Sequence, residues 1–382
     1  MRVAIVHNEY GKPSGEETVV ETHAALLAAR GVEVVRFRRS SAEIPAIRLG
    51  EARAFFTGIY NPAARRAFAR FLDEQRPDIV HIHNLFPLIS PSILPECRRR
   101  GVPVVMTLHN FRLICPNALL LRDGRICHDC LGGHEYRCVL HNCERNLAKS
   151  LGYALRTAFA RRSGLLDNVA RFACLTEFQR DLHVREGFPA ERMTVIPNAV
   201  PPAWLPASAR RPAADEFVGY VGRVSPEKDI PALLEAARRL PSVPFKIAGA
   251  TWRMPEQIRN KTDNVEFVGH LDADGLRAFY ARTRLLVFAT RCYENFPTVL
   301  LEAMAQGIPV VCTRIGGLPE IAEALWCEPG DAETMALAVG RLWDDPALRE
   351  SLGAAGRAKA LREYHPDVVT NKLIGLYENA RA

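Results

Sequence analysis

Residues 284–313 read RLLVFATRCYENFPTVLLEAMAQGIPVVCT, and this stretch decides the fold. Two short apolar runs, at 284–290 and 308–313, flank a segment with the boundary signals of a helix. Pro297 suits the first turn of that helix and Gly307 its end. Apolar strands joined through a helix pack as parallel neighbours, with helices on both faces of the sheet. The stretch therefore predicts one strand–helix–strand unit of a parallel α/β sheet.

The same alternation runs along nearly the whole chain. Residues 196–216, IPNAVPPAWLPASARRPAADE, interrupt it, because they are rich in proline and alanine and keep neither a strand nor a helix period. We therefore predict two doubly wound Rossmann-like domains, at 1–198 and 199–365, and a final helix at 366–382 that packs back on the first domain. The other apolar runs that predict strands are 2–6, 32–37, 78–83, 102–108, 170–176, 216–221, 244–249 and 265–270.

The composition is that of a globular protein with two domains. The 382 residues exceed one ordinary core, and 48% of them are hydrophobic and 24% charged. No run of about 18 uncharged apolar residues predicts a membrane-spanning helix. The first residues, MRVAIVHNEYG, do not have the pattern of a signal peptide. We expect a cytoplasmic protein.

Two glutamates bracket the start of the helix predicted at Pro297. Glu294 precedes this start, Glu302 lies inside the helix, and Asn295 is a plausible N-cap. Free backbone N–H groups and the helix dipole favour a phosphate at such a start. The alternative is that the carboxylates only complement the dipole, or are ordinary helix residues.

A pair of cations belongs at the same edge of the second sheet. The segment GRVSPEK places Arg223 and Lys228 in the loop after the first strand of that domain. Ligands of parallel sheets lie beyond the carboxyl ends of the strands, so the cations and the glutamates are predicted to lie together. An arginine fork and a lysine charge can clamp a diphosphate. Solvated surface charges are the alternative for an isolated pair, and the agreement between the two segments favours the diphosphate site.

These motifs resemble the donor-binding domain of the retaining family-4 glycosyltransferases with the GT-B fold, also called glycosyl transferases group 1. The resemblance implies two Rossmann-like domains that face each other across a cleft. It covers most of the chain, because N-terminal segments resemble the family as well. The segments are PDIVHIHN (77–84), VVMTLHN (104–110), VIPNAV (195–200), GRVSPEKDI (222–230), ENFPTVLLEAMAQGIPVV (294–311) and GGLPEI (316–321).

The resemblance implies a role for each residue of the site. Glu302 is expected to hold the ribose of a nucleotide sugar, and Glu294 the donor sugar. Arg223 and Lys228 are expected to neutralise the diphosphate. Asn295 stands where the family usually has glycine, and its side chain can change how the sugar approaches the backbone. The other residues expected around the donor are Gly15, Gly222, His270, Phe296, Pro297, Thr298 and Val299.

In the first domain, His109 follows the strand predicted at 102–108. The resemblance places it near the donor sugar as a catalytic residue, together with Glu294, Arg223 and Lys228. The alternative is a histidine that is hydrogen-bonded at a strand end, and His83 is a weaker case of the same kind. Gly15 belongs to a glycine-containing loop expected over the donor phosphates, where a simple strand-to-helix turn is the alternative.

The resemblance also implies a mechanism. The acceptor hydroxyl attacks the front face of the donor sugar, the configuration is retained, and the leaving diphosphate takes the acceptor proton. The protein then supplies charge stabilisation and geometry more than a strong base. We identify no Asp-x-Asp metal motif between Met1 and Ala382. We therefore expect magnesium-independent transfer from a UDP- or GDP-linked sugar to a glycan or lipid-linked acceptor.

Other functions stay open for a parallel α/β chain. A dinucleotide oxidoreductase requires a G-x-G-x-x-G turn after a first strand, and GYVGRV contains only Gly219 and Gly222. An epimerase or hydrolase of the same fold has the same motifs as a transferase, and so does a nucleotide-sugar binding protein without catalysis. Consumption of the donor in the absence of an acceptor indicates an epimerase or hydrolase.

Five of the ten cysteines lie between Cys115 and Cys143. Cys127 and Cys130 have the C-x-x-C spacing of half a zinc site. We predict one structural zinc ion held by four of the five cysteines. Reduced or partly disulfide-bonded cysteines that only pack are the main alternative, and a redox role is another. The remaining candidate ligands are Cys115, Cys138 and Cys143.

Two segments, 144–172 and 52–71, combine apolar and basic residues with a helical period. A basic amphipathic helix can lie on an anionic membrane or, more commonly, pack on its own sheet. Residues 1–200 hold 28 basic and 20 acidic side chains of a chain with net charge +7, which also points to an anionic surface or substrate. The hypothesis is peripheral contact with the inner face of a membrane in polysaccharide or cell-envelope biosynthesis. No nucleic-acid partner is expected.

Overall fold

The computed structural model describes residues 1–11, 14–47, 50–205, 216–250, 256 and 260–382. These residues divide into two compact units. The first contains 1–122, 127–199 and 367–382, and the second contains 123–126 and 200–366. Residues 12–13 of the predicted glycine-containing loop and 206–215 of the predicted linker lie outside the described residues.

The first unit is built on a parallel sheet. The strands in this part of the chain are β1 (Arg2–Glu9), β2 (Glu33–Ser40), β3 (Ile79–Asn84), β4 (Val104–Thr107), β5 (Leu121–Arg122), β6 (Arg125–Ile126), β7 (Arg171–Cys174) and β8 (Met193–Val195). Within the described residues the sheet order is β2-β1-β3-β4-β7-β8, with parallel neighbours throughout, and β5 pairs with β6. The helices are α1 (Gly15–Ala29), α2 (Gly50–Ile59), α3 (Pro62–Gln75), α4 (Leu94–Arg99), α5 (Arg137–Leu140), α6 (Leu147–Arg162) and α7 (Glu177–Arg185).

The second unit repeats this plan. Its strands are β9 (Phe217–Val221), β10 (Phe245–Ala248), β11 (Val265–Gly269), β12 (Thr283–Phe288), β13 (Val310–Thr313) and β14 (Ala324–Cys327). Within the described residues they form a parallel sheet in the order β11-β10-β9-β12-β13-β14. The helices are α8 (Ile230–Arg239), α9 (Ala273–Arg282), α10 (Thr298–Ala305), α11 (Leu318–Ile321), α12 (Ala332–Asp344) and α13 (Pro346–Glu363).

Burial on both faces explains why the strands are uninterrupted apolar runs. In β1, Val3, Ala4, Ile5 and Val6 are fully buried, because helices cover both sides of the sheet. The core of the second unit is built in the same way, and Val218, Leu233, Val287 and Val339 are among its buried members. Each strand predicted from an apolar run is present.

The last helix, α14 (Pro366–Arg381), belongs to the first unit from Asp367 onward. Leu373, Leu376 and Tyr377 pack in the same buried cluster as Ile5. Tyr377 is fully buried, and its hydroxyl lies 2.7 Å from Nδ1 of His81 on β3. This helix therefore supplies part of the core beneath the first sheet.

The fold-class prediction is confirmed: both units are doubly wound parallel α/β structures. Two strands were not predicted, β8 and β14. They have three and four residues and lie at the edges of their sheets within the described chain, so their apolar runs are too short to stand out. The hairpin of β5 and β6 was also missed, because two-residue strands leave no periodicity to read.

Candidate active site

The second sheet changes its direction of winding between β9 and β12. From β9 the chain continues to β10 and β11 on one side, and from β12 it continues to β13 and β14 on the other. Loops that leave two neighbouring strands in opposite directions open a crevice at the carboxyl edge, where ligands of such sheets bind. Lys228 lies in the loop after β9 and Glu294 in the loop after β12, so the two predicted segments are adjacent.

Lys228 and Glu294 form a nearly buried ion pair. Lys228 Nζ donates to Glu294 Oε1 over 2.5 Å, and the side chains are 14% and 15% exposed. The Thr290 hydroxyl donates to the same oxygen over 2.9 Å. Burial acts against both charges, but the pairing outweighs it, so the pKa of Lys228 is raised and that of Glu294 is lowered. Both groups are therefore charged at neutral pH. Thr290 was not predicted, although it follows β12 directly.

The helix α10 begins at this ion pair. Its N-cap is Pro297, whose side chain makes no capping hydrogen bond to the first turn. The prediction that Asn295 caps the helix is wrong, because the chain becomes helical only at Thr298. Pro297 itself has no N–H, so the first backbone donors of the helix are those of Thr298 and Val299. The uncapped N–H groups and the helix dipole make this start a suitable anion site.

Glu302 lies one turn further into α10 and is 6% exposed. The Tyr280 hydroxyl of α9 donates to Glu302 Oε2 over 2.9 Å. Burial raises the pKa of Glu302 to about 7, against the effect of the hydrogen bonds from Tyr280 and Thr298. A hydroxyl donor therefore already stabilises this carboxylate, and a sugar hydroxyl is a donor of the same kind. Tyr280 was not predicted, because no motif marks its helix.

Arg223 is the most accessible member of the site. Its side chain is 62% exposed, and Nη2 lies 3.1 Å from Glu227 Oε1. The Tyr220 hydroxyl donates to the Arg223 carbonyl over 3.0 Å, and Gly222 N–H donates to the Ala248 carbonyl over 3.0 Å. These bonds fix the backbone of the loop and leave the guanidinium free to turn. His270 follows β11 and is exposed, so its predicted place near the donor stays a prediction.

A buried aspartate ties the loops of this edge together. Asp229 is fully buried and has a left-handed backbone, with φ 49°. Its Oδ1 accepts from Arg291 Nε and its Oδ2 from Gly330 N–H, both over 2.6 Å. The loops after β9, β12 and β14 are therefore held in one arrangement. Sequence reasoning missed this tie, because its partners are far apart along the chain.

His109 in the first unit belongs to a cluster of histidines. His109 Nε2 and His83 Nδ1 are 2.8 Å apart, and the ring of His83 lies 4.1 Å from that of His81 and 5.6 Å from that of His23. His7 lies beside them, with a ring distance of 6.4 Å to His83. Burial lowers the pKa of His7 and His23 to about 4, and it lowers the pKa of the other three well below the usual value. All five are therefore neutral at pH 7.

Gly15 is the first residue of α1, as expected for a glycine at the end of a strand-to-helix loop. The Ser14 hydroxyl caps the helix by accepting from Glu17 N–H. A Cβ atom added to Gly15 would meet nothing within 4 Å. The structure therefore contains no close contact that requires glycine here, and a role toward donor phosphates stays a prediction.

The clustered cysteines are free thiols. Cys130 and Cys138 are buried together with partly buried Cys143, and Cys115 Sγ contacts Asn117 Oδ1 at 3.0 Å. Across the described residues, no three His, Cys, Asp or Glu side chains are arranged to hold a metal ion. Packing is the arrangement that these contacts support, and the zinc ion stays a prediction.

Metal analysis tests the zinc prediction directly. Chain purified without chelator and analysed by plasma mass spectrometry should contain about one zinc per chain if four of these cysteines bind the ion. Cys127→Ser should remove it and Cys174→Ser, in a strand core, should not. A content below about 0.2 zinc in the unmodified chain would leave only the packing interpretation, since structural sites bind tightly.

One Asp-x-Asp spacing does occur, at Asp272 and Asp274. Asp272 Oδ1 caps α9 by accepting from Gly275 N–H over 2.8 Å. Asp274 is 93% exposed and contacts Arg277 Nη1 at 2.5 Å. Both carboxylates thus have partners at the start of a helix, and metal independence stays a proposal.

Comparison with known proteins identifies the family. Residues 13–204, half of the chain, match the model of Glycosyltransferase Family 4, and residues 215–345 match that of Glycosyl transferases group 1. Glycogen synthase of Mycobacterium tuberculosis is 27% identical over 320 residues, which are 80% of this chain and 70% of the relative. O-antigen chain mannosyltransferase B of Escherichia coli is 25% identical over 237 residues, 56% of this chain and 61% of the relative.

Solved structures share the fold. HepE of Anabaena, in complex with UDP and glucose, aligns with a TM-score of 0.68 at 16% identity and covers 99% of both chains. Sucrose-phosphate synthase of Thermosynechococcus elongatus aligns with a TM-score of 0.70 at 19% identity, over 99% of this chain and 98% of its own. The matched models and the shared architecture agree with the predicted resemblance: the chain belongs to glycosyltransferase family 4 and is a group 1 glycosyltransferase of the GT-B fold.

Proposed function

We propose that the chain transfers a sugar from a UDP- or GDP-linked donor to a glycan or lipid-linked acceptor, with retention of configuration and without a catalytic metal. The observation that carries this proposal is the Lys228–Glu294 pair at the uncapped start of α10. The cation and the N–H groups of the first turn match a diphosphate. The two carboxylates match the sugar on one side of it and the ribose on the other. HepE, solved with UDP and glucose, and the O-antigen mannosyltransferase support the donor and acceptor classes.

The proposed roles follow the order of groups along the donor. Lys228, with Arg223, neutralises the diphosphate as it departs, and the first turn of α10 donates to it. Glu302 accepts from the ribose hydroxyls, in place of or beside Tyr280. Glu294 accepts from a hydroxyl of the donor sugar through the oxygen that Lys228 leaves free. Electrostatic stabilisation of a leaving group by such preorganised charges is a large catalytic term.

Front-face transfer does not require a strong general base from the protein. The leaving diphosphate takes the proton of the acceptor hydroxyl, and the oxygen–sugar bond forms on the side from which the diphosphate departs. His109, neutral at pH 7 and bonded to His83, is proposed to donate a hydrogen bond to the donor sugar or to the acceptor. Its proposed role is therefore to orient a reactant while the imidazole stays uncharged.

A ligand screen tests this proposal. Thermal shifts with UDP, GDP, ADP and their sugars should show stabilisation by one nucleoside diphosphate family, because a ligand at 100 times its Kd contributes about 2.7 kcal/mol. Mass spectrometry of reactions with and without glycan acceptors then identifies the product. Donor loss without acceptor would favour an epimerase or hydrolase, and tight binding without turnover a binding protein. No shift with any nucleotide would contradict the proposal.

We expect nucleoside diphosphate binding to strengthen as pH rises through 7. The pKa of Glu302 is raised to about 7, and ribose hydroxyls donate more strongly to its charged form than to its protonated form. Below pH 7 a proton must leave before binding, so the affinity should fall by up to about tenfold per pH unit. Calorimetry with UDP or GDP between pH 6 and 8 measures this slope. Glu302→Gln should bind weakly with a flatter profile, and an unchanged slope in that variant would contradict the role.

We further infer that the first unit contacts an anionic membrane through α6. Leu147, Leu151 and Leu155 are 61%, 43% and 44% exposed, and their spacing of four residues places them on one face. Packing of this face on the sheet was the alternative for this segment, and these three exposed leucines do not follow it. Small or polar residues are buried instead: Ser150, Gly152, Ala154, Arg156, Thr157 and Ala160.

Neighbouring residues extend this surface. Leu140 of α5 and Phe56 of α2 are 73% and 67% exposed, and both helices pack against α6. Arg145 and Lys149 are exposed at its N-terminal end. Apolar side chains bordered by cations are typical of a helix at an anionic membrane surface. Within the described chain, no helix is both long enough and apolar enough to span a bilayer.

Leu151→Glu with Leu155→Glu should abolish binding to anionic vesicles. Each buried leucine contributes roughly 1.5–3 kcal/mol, so the pair should lower the partition coefficient at least about 100-fold. Flotation with phosphatidylglycerol vesicles measures it, and phosphatidylcholine vesicles test the charge dependence. Leu337→Glu, at a position 67% exposed in the second unit, is the matched control. Equal flotation of all three proteins would contradict membrane contact.

A further inference from the structure

A cationic pocket lies in the first unit at the carboxyl ends of β3 and β4. Its only cationic side chain among the described residues is Arg112, and no carboxylate lines it. Polar donors and apolar side chains share the wall, among them Asn84, Phe86, His109, Asn110 and Leu166. The pocket therefore offers positive charge beside an apolar surface.

Arg112 has donor capacity to spare. Its Nη1 donates to Asn84 Oδ1 over 3.2 Å and its Nη2 to the Tyr10 hydroxyl over 3.5 Å, while the buried Nε has no hydrogen-bond partner. Glu16 is the nearby acid, but its Oε2 accepts from the Tyr10 hydroxyl. Burial raises the pKa of Glu16 to about 7, so this carboxylate is only partly charged at neutral pH. Tyr10 and Glu16 nevertheless raise the pKa of Arg112 against the effect of burial, so the guanidinium is charged and keeps one unused donor, Nε.

A second guanidinium lies behind the same wall. Arg112 and Arg156 are 5.8 Å and 4.8 Å from the centre of the Phe86 ring. Arg156 is 5% exposed, donates to the Pro116 carbonyl over 3.2 Å, and has a buried Nε without a partner. Burial and the charge of Arg112 together lower the pKa of Arg156 to about 9. The guanidinium of Arg156 is thus buried on α6, the helix whose leucines are exposed.

Burying two guanidiniums whose N–H donors are not all used costs free energy, unless an anion binds beside them. A phosphate has the oxygen geometry that a guanidinium fork binds best. We propose that this pocket binds a phosphate group of the acceptor, held by Arg112, with Arg156 as a positioning residue that supports Phe86 and adds positive potential. The assignment of the ligand to the acceptor rests on the proposed function, whereas binding of the phosphate group itself does not.

Calorimetry with three probes tests the pocket: pyrophosphate, glucose 1-phosphate and farnesyl diphosphate. Each is titrated in saturating UDP and, separately, in saturating GDP, so that the donor site is filled in one of the two series. At least one probe should bind, and Arg112→Gln should weaken it about tenfold or more, since a charge-assisted bond is lost. Tighter binding of farnesyl diphosphate indicates a lipid-linked source of the phosphate, and tighter binding of glucose 1-phosphate a sugar phosphate. Either result supports the shared phosphate chemistry.

Further variants separate binding from folding. Arg112→Lys keeps the charge and should lose less affinity than Arg112→Gln at a similar Tm. Arg156→Lys should recover most of the affinity lost in Arg156→Gln, which a purely structural role would not produce. Arg70→Gln, on the exposed side of α3, is the matched control. No binding of any probe, or binding unaffected by Arg112→Gln, would overturn the proposal. Absence of both UDP and GDP binding, together with Arg112-dependent probe binding, would refute the proposed donor site instead.

Discussion

Lys228→Ala is expected to weaken nucleoside diphosphate binding more than 100-fold. The lysine lies 2.5 Å from Glu294, and both side chains are largely shielded from water. Its removal leaves the Glu294 carboxylate unpaired at the place where the diphosphate would bind. The protein then repels the diphosphate there instead of attracting it. Removing one partner of a buried, hydrogen-bonded charge pair at a binding interface costs roughly 2–5 kcal/mol, and the middle of that range corresponds to more than about 100-fold in affinity. Calorimetry with UDP or GDP measures the change.

Glu294→Ala should have a different result. It frees Lys228 for the phosphates, so nucleoside diphosphate affinity should be kept or increased, while sugar transfer should fall about 100-fold or more because a sugar hydroxyl loses its charged acceptor. Lys246→Ala, which removes a partly exposed ion pair with Glu266 in the same unit, is the control for changes of charge. If both Lys228→Ala and Glu294→Ala spare binding and turnover, the pair is only a structural ion pair.

Acid should unfold the first unit well before it titrates ordinary carboxylates. His7 and His23 have folded pKa values lowered to about 4, so between pH 6.5 and 4 the unfolded chain binds more protons than the folded one. Stability is then lost as pH falls. From pH 7 to pH 5 each of these two histidines should cost about 2 kcal/mol, and His81, His83 and His109 add to the loss in the same direction. Thermal unfolding at half-unit pH steps measures it.

His23→Leu provides the test of that cause. Both ring nitrogens of His23 are buried and have no hydrogen-bond partner, so leucine removes an unsatisfied polar group as well as a proton acceptor. The variant should be as stable as the original chain or more stable at pH 7, and about 2 kcal/mol more stable relative to it at pH 5. His134→Gln, at an exposed position, should leave the pH profile unchanged. A parallel shift of all three profiles would contradict the explanation.

The architecture was readable from the sequence because parallel strands covered on both faces leave uninterrupted apolar runs. The runs in β1, β3, β9 and β12 are bounded by polar residues where each strand ends, and those residues mark the carboxyl edges. Arg223, Lys228 and Glu294 were chosen in this way, whereas Glu302 was chosen from its place inside the helix that follows and from the family resemblance. The edge strand β14 lacked a long run and was missed.

Side-chain partners were less predictable, because they depend on which strands are neighbours. Lys228 and Glu294 were assigned to different parts of a ligand, and their direct contact follows only from the adjacency of β9 and β12. The bond of Tyr280 to Glu302 similarly requires the position of α9 beside α10. These contacts join segments that are far apart along the chain, and local periodicity does not indicate which distant segments come together.

The helix α6 shows the limit of periodicity most clearly. A leucine stripe normally marks the buried face of a helix, but here Leu151 and Leu155 are exposed and Arg156 is buried. Gly152 explains part of this, because a Cβ atom added to it would lie 2.5 Å from Phe55 of α2. Close approach of the two helices therefore selects small residues for the contact face and leaves the leucines on the other.

Hydrogen–deuterium exchange with and without a nucleoside diphosphate tests the central claim most directly, that the start of α10 is the donor site. With saturating UDP or GDP, amides of residues 296–300 and 222–228 should exchange more slowly, while those of surface helix α12 should not change. Lys228→Ala should lose this protection at the same ligand concentration. Binding that protects neither segment, or protection that survives in Lys228→Ala, would contradict the account.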